Sequence, residues 1–178
     1  MADGTLKVGT ITNSAGSGNI TIGSGVTLQS NVPAFQAYLS SNQSGLTDSA
    51  TVLAQLNTTA LDTDNAFDTS TYTFTCPVAG KYFVYAKTSL LSSGTARETK
   101  TFVYKNDSTI LSNVMEFIGS PLIINDGATW SGAQTSGIVD LAVNDTLKLY
   151  GRMNTNSTTW SFISGITETT LGAYRIGA

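Results

Sequence analysis

The stretch YTFTCPVAGKYFVY, residues 72–85, constrains the fold more than any other part of this chain. Two strand-like runs flank Pro77 and Gly80. Proline has no N–H to donate to a sheet, so the first strand should end there, and glycine lets the chain turn back. The second run, residues 81–85, has no polar face, although one face of a sandwich strand usually meets water. Something besides the sandwich core must therefore cover it.

From Val32 onward, strand-like runs follow one another at the spacing typical of a β-sandwich or barrel. Asn106-Asp107 and Asn144-Asp145 each stand between two such runs, which predicts two hairpin turns. The best helical candidate, residues 48–56, is short and lacks a full apolar stripe, so we predict loop or strand there. The chain is therefore predicted to be all-β.

Residues 1–31 differ from the rest because they contain no aromatic residue and their short apolar pairs are separated by Gly and Ser. Each pair predicts a very short strand, too small to bury a core alone, so it needs sister chains or a docking surface. A flexible Gly/Ser tail is the alternative interpretation. We predict an N-terminal β anchor or trimerisation segment over residues 1–31 and a head domain over 32–178. The candidate anchoring residues are Leu6, Val8, Ile20, Ile22, Val26 and Leu28.

The composition excludes several functions. The chain has no histidine and one cysteine, which removes His-based catalysis, intrachain disulfides and Cys-cluster zinc sites. The net charge is −3 and no basic block exists, so nucleic-acid binding is not expected. No run approaches the ~18 apolar residues of a membrane span. We predict no enzymatic activity, no cofactor, and a buried structural role for Cys76.

Two groups of residues allow a binding interpretation. Asp62, Asp64 and Asp68 could supply oxygen ligands to calcium, although a solvated acidic loop is the favoured interpretation. Trp130 and Trp160 lie near loops rich in small polar residues, where a Trp could stack on a sugar ring. A Trp that fills the sandwich end or a protomer interface is the favoured interpretation, because Trp is highly buried on average.

Residues 65–82, NAFDTSTYTFTCPVAGKY, resemble the signature of the complement-one-q globular head, which shares a jelly-roll superfamily with tumour necrosis factor. Weaker similarities occur at residues 33–37 and 141–149, and residues 170–176 fit the closing strand better than 162–165. The resemblance implies a jelly-roll sandwich over about residues 32–177. The matching residues are Phe67, Asp68, Ser70, Thr71, Phe74, Thr75, Cys76, Pro77, Val78, Gly80 and Tyr82.

Residues 80–85 also resemble the tumour necrosis factor strand that lies on the inner sheet and faces the threefold axis. The resemblance implies that Tyr82 and Val84 point into the sandwich, while Phe83 and Tyr85 form part of a homotrimer interface. Each buried aromatic removes roughly 150–250 Å² from water, so at about 25 cal/mol per Å² two rings contribute several kcal/mol per protomer before costs. A loop folded over the sheet is the alternative cover.

Only 12% of residues are charged, a profile that suits extracellular or virion-exposed proteins. No export leader is visible in MADGTLKVGT, so release with a virus particle is the expected route outside the cell. A Gly-punctuated N-terminal segment joined to a complement-like head resembles bacteriophage fibre, spike or head-decoration proteins. This predicts a virion structural protein that binds other virion proteins through its N-terminal segment and contacts a host-surface glycan or protein. A pure cementing role stays open, and the alternative is a secreted lectin-like or cytokine-like binding module.

Overall fold

The computed structural model of the chain describes residues 32–116, 123–124 and 128–177, together with Ser24. Apart from Ser24, these residues belong to the unit Val32–Ala178. The six candidate anchoring residues lie outside the described part. Within the described residues every regular element is a strand, which confirms the all-β prediction. The same residues contain no helix long and apolar enough to cross a membrane.

The strands of the described residues form two antiparallel sheets. Their bounds, in chain order, are β1 (Ala34–Tyr38), β2 (Gln43–Thr47), β3 (Val52–Leu53), β4 (Thr58–Asp62), β5 (Phe67–Asp68), β6 (Thr73–Thr75), β7 (Gly80–Ser92), β8 (Ala96–Lys105), β9 (Ser108–Glu116), β10 (Ile123–Ile124), β11 (Ala128–Leu141), β12 (Thr146–Thr155), β13 (Thr159–Phe162) and β14 (Thr170–Gly177). The first sheet has the order β10-β11-β7-β14-β1-β4, with β13 beside β7 and β2 beside β13. The second has the order β5-β6-β12-β8-β9, with β3 beside β12.

The core lies between the two sheets and follows the period-two alternation of the strands. In β7, Tyr82 and Val84 are fully buried, as the sequence predicts. Facing side chains come from the second sheet, for example Leu149 of β12, also fully buried. The rings of Phe35 in β1 and Phe74 in β6 stack with centroids 4.2 Å apart, which joins the two layers directly. These contacts make the sandwich a single hydrophobic core.

One end of the sandwich interior is polar. The hydroxyl groups of Thr88 in β7 and Thr101 in β8 are 2.7 Å apart, and Thr101 also donates to the carbonyl of Ala133 at 2.9 Å. The hydroxyls of Thr99 and Ser131 pair at 3.0 Å. Threonine suits a strand because it is β-branched, and its buried hydroxyl must find a partner. The paired hydroxyls meet this requirement across the sheets.

The turns between strands lie where the sequence predicts them. Asn106 and Asp107 both have positive φ, 49° and 62°, as a two-residue hairpin between β8 and β9 requires. Asn144 has φ of 70° in the turn before β12. Strand β6 ends two residues before Pro77, and residues 48–56 contain only the two-residue β3. The closing strand is β14, which confirms the choice of residues 170–176 over 162–165.

Candidate assembly surface

The outer side of the first sheet carries an apolar strip, called the aromatic face below. It begins in β7, where the side chains between the buried Tyr82, Val84 and Ala86 must point away from the core. The outward side chains there are Phe83 and Tyr85. The neighbouring strands add Tyr174 from β14 and Ile138 from β11. Ile176, two residues after Tyr174, is also exposed, although it lies at a register shift between β14 and β7. The aromatic face consists of Phe83, Tyr85, Ile138, Tyr174 and Ile176.

Strand register gathers these residues around Phe83. Tyr174 of β14 and Ile138 of β11 are both directly opposite Phe83, one on each side. Directly opposite residues share a face of the sheet and have neighbouring Cβ atoms. The ring centroids of Phe83 and Tyr174 are 5.5 Å apart, and those of Phe83 and Tyr85 are 6.4 Å apart. Three rings from two strands therefore form one continuous aromatic row.

A glycine shapes the position of Tyr85. Gly172 of β14 is directly opposite Tyr85, and a Cβ at residue 172 would overlap the Cζ and Oη atoms of the Tyr85 ring. The missing side chain lets the ring lie against the sheet. Burial, and to a smaller extent the nearby Tyr174, raises the pKa of Tyr85, so its phenol stays neutral.

No described residue of the chain covers the aromatic face. Ile138 is 63% exposed, Ile176 47% and Tyr174 45%, whereas Phe83 and Tyr85 are half-buried by these neighbours. The predicted outward orientation of Phe83 and Tyr85 is confirmed, and their burial in a trimer stays a prediction. Sequence reasoning missed Ile138, Tyr174 and Ile176. The alternation of residues 170–176 carried a signal for Tyr174 and Ile176, since these two large apolar side chains stand two residues apart.

Polar groups lie at both ends of the aromatic face. At one end the Lys81 ammonium contacts the Asp140 carboxylate at 2.7 Å, with both side chains largely exposed. At the other end Lys87 donates to the carbonyl of Thr167 at 2.6 Å. A groove of about 460 Å³ lies between the face and the loop that carries Thr167, with Tyr85 and Ser136 in its lining. An apolar centre with a charged rim is the usual composition of a protein interface.

The two tryptophans differ in burial. Trp160 is 1% exposed and donates its indole N–H to the carbonyl of Thr47 at 2.9 Å, so it belongs to the core. Trp130 is 44% exposed on β11, where Thr129 and Ser131 on either side point inward. Trp130 therefore lies on the outer side of the first sheet, beyond the aromatic face. An exposed ring at this position fits both interpretations of Trp130, sugar stacking and interface packing, and both stay predictions.

The acidic residues near β5 accept hydrogen bonds from the turns that flank this strand. Asp62 accepts hydrogen bonds from the backbone N–H groups of Ala66 and Phe67, each at 2.9 Å. Asp68 accepts from Ser70 and Thr71, and these hydrogen bonds, led by the Ser70 hydroxyl, lower the pKa of Asp68 to about 2. The described residues include no group of three or more Asp, Glu, Cys or His side chains placed to hold a metal ion.

Comparison with known proteins shows similarity in fold. No protein-family model matches the sequence, and no curated protein matches it. The structure of Eiger TNF from S. frugiperda superposes with a TM-score of 0.62 at 12% identity, covering 83% of this chain and 94% of that chain. Murine APRIL at pH 5.0 superposes with a TM-score of 0.58 at 11% identity, covering 82% of this chain and 99% of that chain. This protein therefore has a jelly-roll fold of the tumour necrosis factor type.

Proposed function

We propose that this protein is a homotrimeric structural protein of a bacteriophage virion, a fibre, spike or capsid-decoration protein whose jelly-roll head projects from the particle and contacts the host surface. The aromatic face carries the trimer part of this proposal. Ile138 and Tyr174 stay exposed on a side of the sheet where a monomer would place polar residues. The virion part rests on the composition of the chain and its N-terminal segment.

The energetics favour assembly. Each aromatic residue that becomes buried removes roughly 150–250 Å² from water, at about 25 cal/mol per Å². Tyr174, Phe83 and Tyr85 already contact one another, so little ordering is required when a second copy binds. Lys81 and Asp140 remain at the rim, where water can solvate them. The resemblance to tumour necrosis factors implies a threefold rather than a twofold arrangement.

A virion role fits a trimer with an N-terminal segment that attaches it to other virion proteins. Three heads on one axis multiply weak contacts with a host surface through avidity. We expect no enzymatic activity, because the chain has no histidine to act as general acid or base. The virion would then be the site of the protein, which becomes extracellular after host lysis. Mass spectrometry and cryo-EM of purified particles test this part, and absence of the chain from the particles would reject it.

A secreted lectin-like or cytokine-like binding module is the second candidate. The observation in its favour is the fold, since the similarity covers nearly the whole length of the Eiger TNF and APRIL chains. Like the virion protein, such a module would be a homotrimer. The two candidates are distinguished by where the protein is found. Detection in a culture supernatant free of particles would favour it over the virion role.

The trimer is tested with the full chain by size-exclusion chromatography coupled to light scattering. The Ile138→Lys variant places a charge in the middle of the aromatic face and should convert the trimer to a folded monomer. Val143→Lys is the matched control, since Val143 is 53% exposed in the turn between β11 and β12. This control should remain a trimer. A wild-type protein with the molar mass of a stable, folded monomer would reject the trimer.

A further inference from the structure

The outer side of the second sheet carries a different surface, called the basic face below. In β8 and β12 every second side chain points outward, because Val103 and Leu149, which lie between the outward positions, are buried in the core. Register places Arg152 directly opposite Lys100, and Tyr150 directly opposite Phe102. The basic face consists of Lys100, Phe102, Tyr104, Lys148, Tyr150 and Arg152, with the Glu98 carboxylate beside Lys100 at its edge. It lies on the opposite side of the sandwich from the aromatic face, so the proposed trimer leaves it accessible.

Arg152 is the unusual member of this face. Lys100 is paired with Glu98 at 2.7 Å and Lys148 with Asp107 at 2.8 Å. Arg152 has no hydrogen bond or ion pair to any side chain that the structure describes, and its Nε atom is buried without an acceptor. Like charges directly opposite each other on a sheet are destabilising, and a buried unpaired donor costs free energy. Folding alone does not explain an arginine at this position.

The surroundings of Arg152 suit a sugar that bears an acidic group. The guanidinium group offers a planar fork of donors that binds a carboxylate or sulfate through two parallel hydrogen bonds. Next to it, the rings of Tyr104 and Tyr150 pack with centroids 4.3 Å apart, and both rings are partly exposed. Aromatic surface beside a few placed polar groups is the usual composition of a small-molecule site. Lys100 stands directly opposite Arg152, and its ammonium group is already paired with Glu98.

We propose that the basic face binds an acidic polysaccharide, with Arg152 paired to the acid group and Tyr150 and Phe102 in contact with the sugar ring. The acid group is a carboxylate or a sulfate, since both match the arginine fork. Three copies of the face on one trimer would bind a polymer through avidity. The link to host attachment rests on the proposed function, whereas the binding itself does not.

The binding test uses the full chain and three tetrasaccharides measured by calorimetry. Tetragalacturonate carries carboxylates, a sulfated tetrasaccharide carries sulfates, and maltotetraose is the neutral control. We expect at least one acidic probe to bind and maltotetraose not to bind. The stronger of the two acidic probes identifies the acid group. Equal binding of maltotetraose, or tighter binding of a single-stranded oligonucleotide, would overturn the proposal.

Arg152 is tested directly with protein labelled with ¹⁵N at the arginine side chains. The Arg152 Nε–H resonance should shift on titration with the acidic probe, and the Arg97 resonance should not. The Arg152→Gln variant should lose at least about tenfold in affinity, since a hydrogen bond to a charged group is lost. Arg97→Gln is the matched control, because Arg97 is exposed and its loss changes the net charge equally.

The binding experiments and the test of oligomeric state can fail independently. Arg152→Gln should keep or raise the melting temperature, because it removes a buried unpaired donor and leaves no described partner unpaired. Arg152→Lys should bind with intermediate affinity. If Arg152→Gln fails to fold, the resonance shift in the wild-type protein decides the question. Equal losses in Arg97→Gln and Arg152→Gln would overturn the proposal. A trimer without acidic binding rejects only the polysaccharide site, and a monomer with acidic binding rejects only the trimer.

Discussion

The ring of Tyr85 occupies the space in which a Cβ at residue 172 would stand. Gly172 and Tyr85 are directly opposite each other in β14 and β7. The glycine therefore sets the height of the aromatic face, because the Tyr85 ring can lie against the backbone only where no side chain intervenes. A flat face can be covered by a second copy, whereas a raised ring would hold that copy away.

Gly172→Ala should weaken both folding and assembly. The added methyl displaces the end of the Tyr85 ring and leaves the backbone in place, so the free energy of unfolding should fall by about 1–2 kcal/mol. The trimer should dissociate at a concentration at least about tenfold higher, since 1.4 kcal/mol lost at the interface gives this factor. Light scattering across a dilution series measures it. Gly177→Ala on the same strand is the control, because nothing lies within 4 Å of a Cβ there. Identical dissociation of the two variants would contradict the role of Gly172.

The paired hydroxyls of Thr88 and Thr101 predict a coupled effect on stability. Thr101→Val leaves the Thr88 hydroxyl without its acceptor and the Ala133 carbonyl without this donor, which should cost about 1–3 kcal/mol of unfolding free energy. Adding Thr88→Val removes one of the two orphaned groups, so the double variant should be less unstable than the sum of the single variants. Urea denaturation of the four proteins measures the coupling energy. Strict additivity would show that the two hydroxyls do not depend on each other.

Protonation of Asp145 should lower the stability of the folded protein in acid. Its carboxylate contacts the Lys105 ammonium at 2.7 Å and accepts from the Asn106 amide and the Ala142 N–H. These contacts, led by Lys105, lower the pKa of Asp145 to about 2. Because the folded pKa lies below the unfolded value of about 3.9, the stabilisation is present above about pH 4 and is lost as the pH falls through about 2.

Asp145→Asn should therefore be less stable than the wild type at pH 7, by on the order of 1–2 kcal/mol. The difference should shrink between pH 4 and pH 2. Thermal unfolding at pH 7, 4 and 2.5 measures it. Asp140→Asn is the control, since the Asp140 side chain is 79% exposed and its surface pair with Lys81 contributes little. A pH-independent difference for Asp145→Asn would contradict the assigned cause.

Local pattern was enough to predict much of the fold. The alternation of residues 81–85 placed Tyr82 inside and Phe83 outside, and Pro77 marked the end of β6. The turn at Asn106-Asp107 was readable because a two-residue hairpin needs residues that tolerate positive φ. The candidate site was predicted only in part. Phe83 and Tyr85 stood out because they are adjacent to core residues, whereas nothing near Tyr174 in sequence reveals that its ring contacts Phe83.

Sequence alone determined which side chains of each strand can share a face, because alternation depends only on neighbouring residues along the chain. Tertiary structure decided which strands stand side by side and in which register. That register set Gly172 against Tyr85 and Arg152 against Lys100, each joining residues far apart in the chain. Such pairings depend on how the whole sandwich closes, and a shift of one residue would move every side chain to the opposite face. The aromatic face and the basic face are both products of that closure.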